Sequence, residues 1–174
     1  MAAILPGKFL YLATPHTASL ATVRALTEQL PGCLEVLSSS GQHKYGHHHA
    51  TRNEFQLFRD ELVWSVRREP RDVLVTCWLR YAGIGRPKET LEEFVREWDH
   101  APFIVDGQFA WHDVDEWVEY EDLDAGVNAL LGRLGVVGPV RILQHNVTPH
   151  KGLWEDHWTR GAEELFRGRF EAVG

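Results

Sequence analysis

Short apolar runs in this chain end in polar loops and pass straight into stretches of helical periodicity. That alternation constrains the fold more than any other feature, because parallel neighbours in a sheet need a crossover, usually a helix. Two such junctions stand out: Phe9–Ser19, FLYLATPHTAS, and Ser65–Trp78, SVRREPRDVLVTCW. The first turn of a helix carries unpaired backbone N–H groups and the positive end of the dipole, a ready seat for an anionic group. The second junction also holds Arg67, Arg68 and Arg71. Two anion seats imply a ligand with phosphate at both ends.

The pattern predicts a buried strand over Phe9–Ala13, then a helix over Ser19–Leu30 with Ser19 or Thr17 as N-cap and Pro31-Gly32 as its stop. Cys33–Leu37 reads as a short strand, Ser38–Ala50 as a histidine-rich loop, Thr51–Glu61 as helix and Leu62–Val66 as strand. Pro70–Tyr81 is a helix with proline in its first turn, Gly83–Lys88 a loop, and Thr90–Asp99 a helix with Thr90 and Glu93 in capping-box spacing. Trp117–Tyr120 reads as strand, Leu123–Leu134 as helix, Gln144–Trp154 as loop and Thr159–Phe170 as a last amphipathic helix; Pro102–Asp115 fits neither period. The opening MAAILPGKFLYLATP runs directly into the first strand and lacks the charged region of a signal peptide. The expectation is an α/β three-layer sandwich with a central parallel sheet, in a single domain over residues 1–174.

A formal charge of −7 argues against a general nucleic-acid binder, so any anion site must be built locally. No apolar run approaches a membrane span. The two cysteines, Cys33 and Cys77, sit in apolar contexts without metal-ligand spacing; buried free thiols in a reducing, cytoplasmic compartment are expected.

The loop Thr14–Ser19, TPHTAS, resembles the 5′-phosphosulfate loop of sulfotransferases that use 3′-phosphoadenosine 5′-phosphosulfate (PAPS), whose form is P-K-[ST]-[AG]-[ST] between a strand and a helix. Pro15, Thr17, Ala18 and Ser19 match, and His16 stands where the lysine belongs. Arg68-Glu69-Pro70-Arg71-Asp72-Val73-Leu74-Val75-Thr76 resembles the same family's 3′-phosphate motif, R-[DN]-P-x-D-x-x-x-S. Val118–Leu123 is similar to its strand-end YEDL signature, and His150-Lys151-Gly152 with Trp154-Glu155-Asp156 to a shortened form of its late R-K-G…G-D-W loop. The matches follow the family's order from Phe9 to about Phe170. The resemblance implies the P-loop nucleotide-hydrolase-like sulfotransferase fold, with PAPS as co-substrate and no metal required. It implies that Pro15, His16, Thr17, Ala18 and Ser19 hold the 5′ end of the donor, and that Arg68, Thr76, Lys151 and Gly152 hold its 3′-phosphate. Trp154 offers an aromatic face for the adenine, or packs in the core.

Sulfuryl transfer, like phosphoryl transfer, rests on positioning and charge stabilisation and needs a base for the acceptor. His16 can steady the leaving group only as a cation or as a neutral N–H donor. Alternatively its presence marks a binding module of the same fold that no longer catalyses. For the base, the expected residue is His49, at a helix entrance, with His47 second. Adjacent histidines converge poorly on one ion, and no H-E-x-x-H or C-x-x-C spacing occurs, so no metal site is assigned. No G-x-x-x-x-G-K-[ST] occurs either, which speaks against a P-loop kinase. The expected partner is a small-molecule or glycan acceptor, with no nucleic acid and no membrane. The acceptor pocket is expected to be open or completed by a second copy in a homodimer.

Overall fold

A computed structural model describes residues 1–14, 17–36, 60–83, 90–97, 114–143 and 152–171. The chain divides into two compact units, one of Met1–Arg68 with Ala110–His145 and one of Glu69–Phe109 with Asn146–Gly174. The expected loop over 38–50, the body of the helix over 51–61 and most of 102–115 lie outside the described residues.

The first unit is built on a five-stranded sheet. Its strands are β1 (Ala2–Leu5), β2 (Phe9–Leu12), β3 (Leu34–Val36), β4 (Leu62–Arg67) and β5 (Glu116–Glu119), in the order β3-β1-β2-β4-β5. β2 pairs with β4, and β4 with β5, in parallel, whereas β1 runs antiparallel to both β2 and β3. The fold is α/β as expected, but the sheet is mixed rather than wholly parallel. The reason is Pro6-Gly7. Proline presets the first turn position and Gly7 takes φ 73, so Lys8 N–H reaches back to Leu5 O at 3.0 Å and the chain reverses. The segment that reads as a lead-in to the first strand is therefore itself a strand, inserted between β3 and β2.

All four residues of β2 are buried, which is why the run is continuously apolar rather than alternating. Phe9 and Tyr11 join Trp64, Val66 and Val118 under the helices α1 (Ser19–Gln29) and α4 (Leu123–Arg133). Trp64 sits at the heart of this layer, 4.5 Å from the Tyr11 ring and 6.0 Å from that of Phe9, centre to centre. Leu10, Leu12 and Val63 point to the opposite face with Ala2 and Ile4. After α4 an extended segment is held by side chains in place of a strand. The Gln29 amide bonds both N–H and C=O of Arg141, and the Asn128 amide does the same for Val140.

The second unit is helical among the described residues: α2 (Pro70–Gly83), α3 (Leu91–Glu97), a single 3-10 turn (Trp154–Asp156) and α5 (Arg160–Phe166), which runs on into one π turn (Arg167–Glu171). Its core joins Val73, Leu74, Cys77, Leu91, Phe94, Val95, Ala162 and Phe166. The Thr90–Glu93 capping box forms as expected, with Thr90 N–H on Glu93 Oε2 at 2.8 Å and Glu93 N–H on Thr90 Oγ1 at 3.2 Å. Thr159 caps α5 through Ala162 N–H at 3.0 Å. Among the described residues no helix is long and apolar enough to cross a membrane.

Candidate functional site

In the first unit, β2, β4 and β5 end at the same edge of the sheet because they run parallel. From β2 the chain returns through α1 to β3, on the far side of β1, while β4 flanks β2 on its other side. The chain thus departs in opposite directions around the β2–β4 seam. In open α/β sheets such a reversal leaves a crevice at the strands' carboxyl ends, where ligands bind. Thr14, Thr17, Ala18 and Ser19 follow β2 at this edge, Arg68 follows β4, and Tyr120 follows β5.

The turn after β2 is fixed by hydroxyls. Thr17 is fully buried and its Oγ1 donates to Thr14 O at 2.9 Å. Thr14 Oγ1 lies 2.5 Å from Ser65 Oγ, which in turn bonds Leu12 O at 2.5 Å. With its hydroxyl turned inward, Thr17 does not cap α1. The N-cap is Ala18, in the left-handed region at φ 56 and ψ 25, and among the described residues no side chain caps the helix. This corrects the expectation of Ser19 or Thr17 in that role. Ser19, half-buried, is the first helical residue. The helix start thus presents first-turn N–H groups without a side-chain cap, which is the geometry an anion uses.

Below this turn lies Tyr11, fully buried, with the Thr17 and Thr22 hydroxyls as its polar neighbours. Burial pushes its phenol well above the ordinary range, while the Thr22 and Thr17 hydroxyls pull the other way, so it is neutral at any physiological pH.

The three arginines grouped by sequence have separate fates. Arg67 pairs across the sheet with Glu119, Nε to Oε1 at 2.6 Å. Arg71 belongs to the second unit, where it grips Glu163 with two nitrogens at 2.9 and 3.0 Å and Glu69 with a third at 3.0 Å. Arg68 is the buried one, 7% exposed, with its guanidinium carbon 4.3 Å from the centre of the Tyr120 ring. Tyr120 is itself fixed by its N–H on Arg67 O at 2.9 Å.

Of the remaining expected site residues, Thr76 is buried in α2 of the second unit. Gly152 is exposed at φ 62, and Trp154 packs edge-on against Trp158 at 5.8 Å between ring centres. Pro15, His16, His47, His49 and Lys151 lie outside the described residues. So does the 43–49 histidine run; among the described residues no group of three or more metal-ligating side chains occurs.

Thr14, Ser65 and Tyr11 were not singled out from sequence. The signal was there in Ser65, a hydroxyl inside the apolar run LVWSVR, since a buried polar side chain must find a partner.

No family model matches the chain, and neither does any curated protein or solved structure.

Proposed function

We propose that this protein is a PAPS-dependent sulfotransferase of the P-loop-like sulfotransferase fold. The observation that carries the reading is the parallel pairing of β2 with β4, Phe9 with Leu62 through Tyr11 with Trp64. Adjacent strands lie about 4.8 Å apart, so the start of α1 and Arg68, buried beside Tyr120, follow neighbouring strands at one edge. A nucleotide with phosphate at both ends would meet N–H groups at Ala18–Ser19 and a guanidinium at Arg68. Thr76, Lys151, Gly152 and Trp154 are assigned to the same donor by resemblance alone.

In the reaction, the acceptor oxygen or nitrogen attacks sulfur as the bond from sulfur to the bridging 5′-phosphate oxygen breaks. The acceptor proton passes to a histidine, His49 first and His47 second, and 3′-phosphoadenosine 5′-phosphate (PAP) leaves. His16, in its protonated form, would neutralise charge on that leaving oxygen. No metal enters this scheme. The reading includes a cytoplasmic location, supported by two buried free thiols, Cys33 and Cys77, the former pushed up to about 11 by burial.

Thermal melting tests the donor assignment. A ligand at a hundred times its dissociation constant adds about 2.7 kcal/mol to the folded state, several degrees for a chain of this length. PAP is expected to raise the melting temperature by that order and 5′-AMP far less; equal shifts would overturn the 3′-phosphate assignment. His16 favours a second reading, a binding module that retains the donor site without chemistry. Labelled sulfate transfer from PAPS across an acceptor panel, in wild type and His16→Lys, separates the two: tight binding with no transfer in either protein selects the module. Activity that survives chelators fits the metal-free scheme.

A further inference from the structure

We infer that Thr14 and Ser65 are positioning residues that set the spacing between the two phosphate grips, and so decide the preference for a nucleotide phosphorylated at both ends. The inference rests on the donor reading just given.

The hydroxyls form a directed chain. Ser65 has one proton and spends it on Leu12 O at 2.5 Å, so the Thr14 hydroxyl, 2.5 Å from Ser65 Oγ, must be the donor of that pair. Thr14 O then accepts from Thr17 Oγ1 at 2.9 Å. Thr14, Thr17 and Ser65 are all fully buried, so no water competes for these bonds. The chain begins in the turn that starts α1, crosses the β2–β4 seam to Ser65, three residues before Arg68, and returns to Leu12 O at the end of β2. Backbone pairing alone fixes the strands only as far as Tyr11 with Trp64. Beyond that point the hydroxyl staple adds a side-chain tie between the end of β2 and β4. A ligand gripped at one end is indifferent to that tie. One gripped at both ends needs the correct separation in advance, and loosening it lowers affinity for the doubly phosphorylated ligand alone.

The test is the ratio of affinities for PAP and 5′-AMP, measured by calorimetry on the full chain. In Thr14→Val/Ser65→Ala no lone buried hydroxyl remains, but Leu12 O loses the Ser65 donor, so the variant is expected to be less stable than wild type while still folded. The ratio is expected to fall about tenfold, through PAP, with 5′-AMP affinity unchanged. Thr14→Ser keeps the hydroxyl and is expected to keep the ratio; it also gives a readout if the double variant fails to fold. A double variant that folds and retains the wild-type ratio overturns the inference, as does a Thr14→Ser variant that loses the ratio while folded. Absence of any PAP preference in the wild type overturns the donor reading itself, and the positioning role with it.

Discussion

Ala18 holds φ 56 at the start of α1, a left-handed backbone that costs an L-residue about 1–2 kcal/mol. Glycine adopts it freely and is also the better N-cap. Ala18→Gly is therefore expected to stabilise the protein by about 0.5–1 kcal/mol, after its own greater entropy in the unfolded chain is set against the relieved strain, as read by urea denaturation. A neutral or destabilising result would mean that the turn relaxes in solution. The sequence rule that favours Ser19 or Thr17 as cap fails here for a local reason. A hydroxyl caps a helix only if it points along the axis, and Thr17 donates backward to Thr14 O instead. The Thr17 hydroxyl turns toward Thr14, whose own hydroxyl meets Ser65 51 residues away, so no local pattern carries its orientation.

At the scale of elements, β2, β4, α1, α2 and α4 were legible to within a residue or two, since runs buried on both faces and helices with Pro or Gly stops write themselves into composition. β1 was not, because a four-residue strand gives too short an apolar run, although Pro6-Gly7 was a turn signal in plain sight. Gly126 shows how closely such elements pack. A Cβ there would stand 2.6 Å from Val118 Cγ1, so α4 rests directly on β5. Gly126→Ala is expected to destabilise by about 1–2 kcal/mol despite alanine's higher helix propensity, and Val118→Ala in the same chain to recover part of the loss in a double-mutant cycle. In the second unit, Glu163 links α2 to α5. Bonds from Arg71 first, then from Trp158 and Arg167, hold its carboxyl at about 2, below the ordinary 4.5. The folded form therefore takes up the proton less readily than the unfolded chain does. The stabilisation is complete above about pH 4.5 and is lost as pH falls toward 2. Hydrogen-exchange protection of α2 and α5 is expected to fall across that window, and Glu163→Gln to abolish the dependence; an unchanged profile in the variant would refute the link.

For the whole molecule, the α/β character could be read from the alternation of periods, but the division into two units could not. The first unit is discontinuous, leaving at Arg68 and resuming at Ala110, and the boundary falls within the phosphate-motif resemblance, between Arg68 and Glu69. No Pro-, Gly- or Ser-rich linker marks it. The interior position of β1, between β3 and β2, bears finally on how the protein assembles. The β1–β2 hairpin closes through a three-residue turn, whereas the seam beside it depends on contacts such as Ser65–Leu12, 53 residues apart. Hairpins form in microseconds, and distant pairings wait on chain closure, so the β1–β2 hairpin is expected to be the nucleus onto which the rest of the sheet is added. Nothing lies within 4 Å of a Cβ at Gly7, so Gly7→Ala imposes only the positive-φ penalty, about 1–2 kcal/mol. Spent in the nucleus, that penalty slows refolding roughly fivefold or more and leaves the unfolding rate unchanged in a stopped-flow chevron; the reverse partition would put the hairpin late.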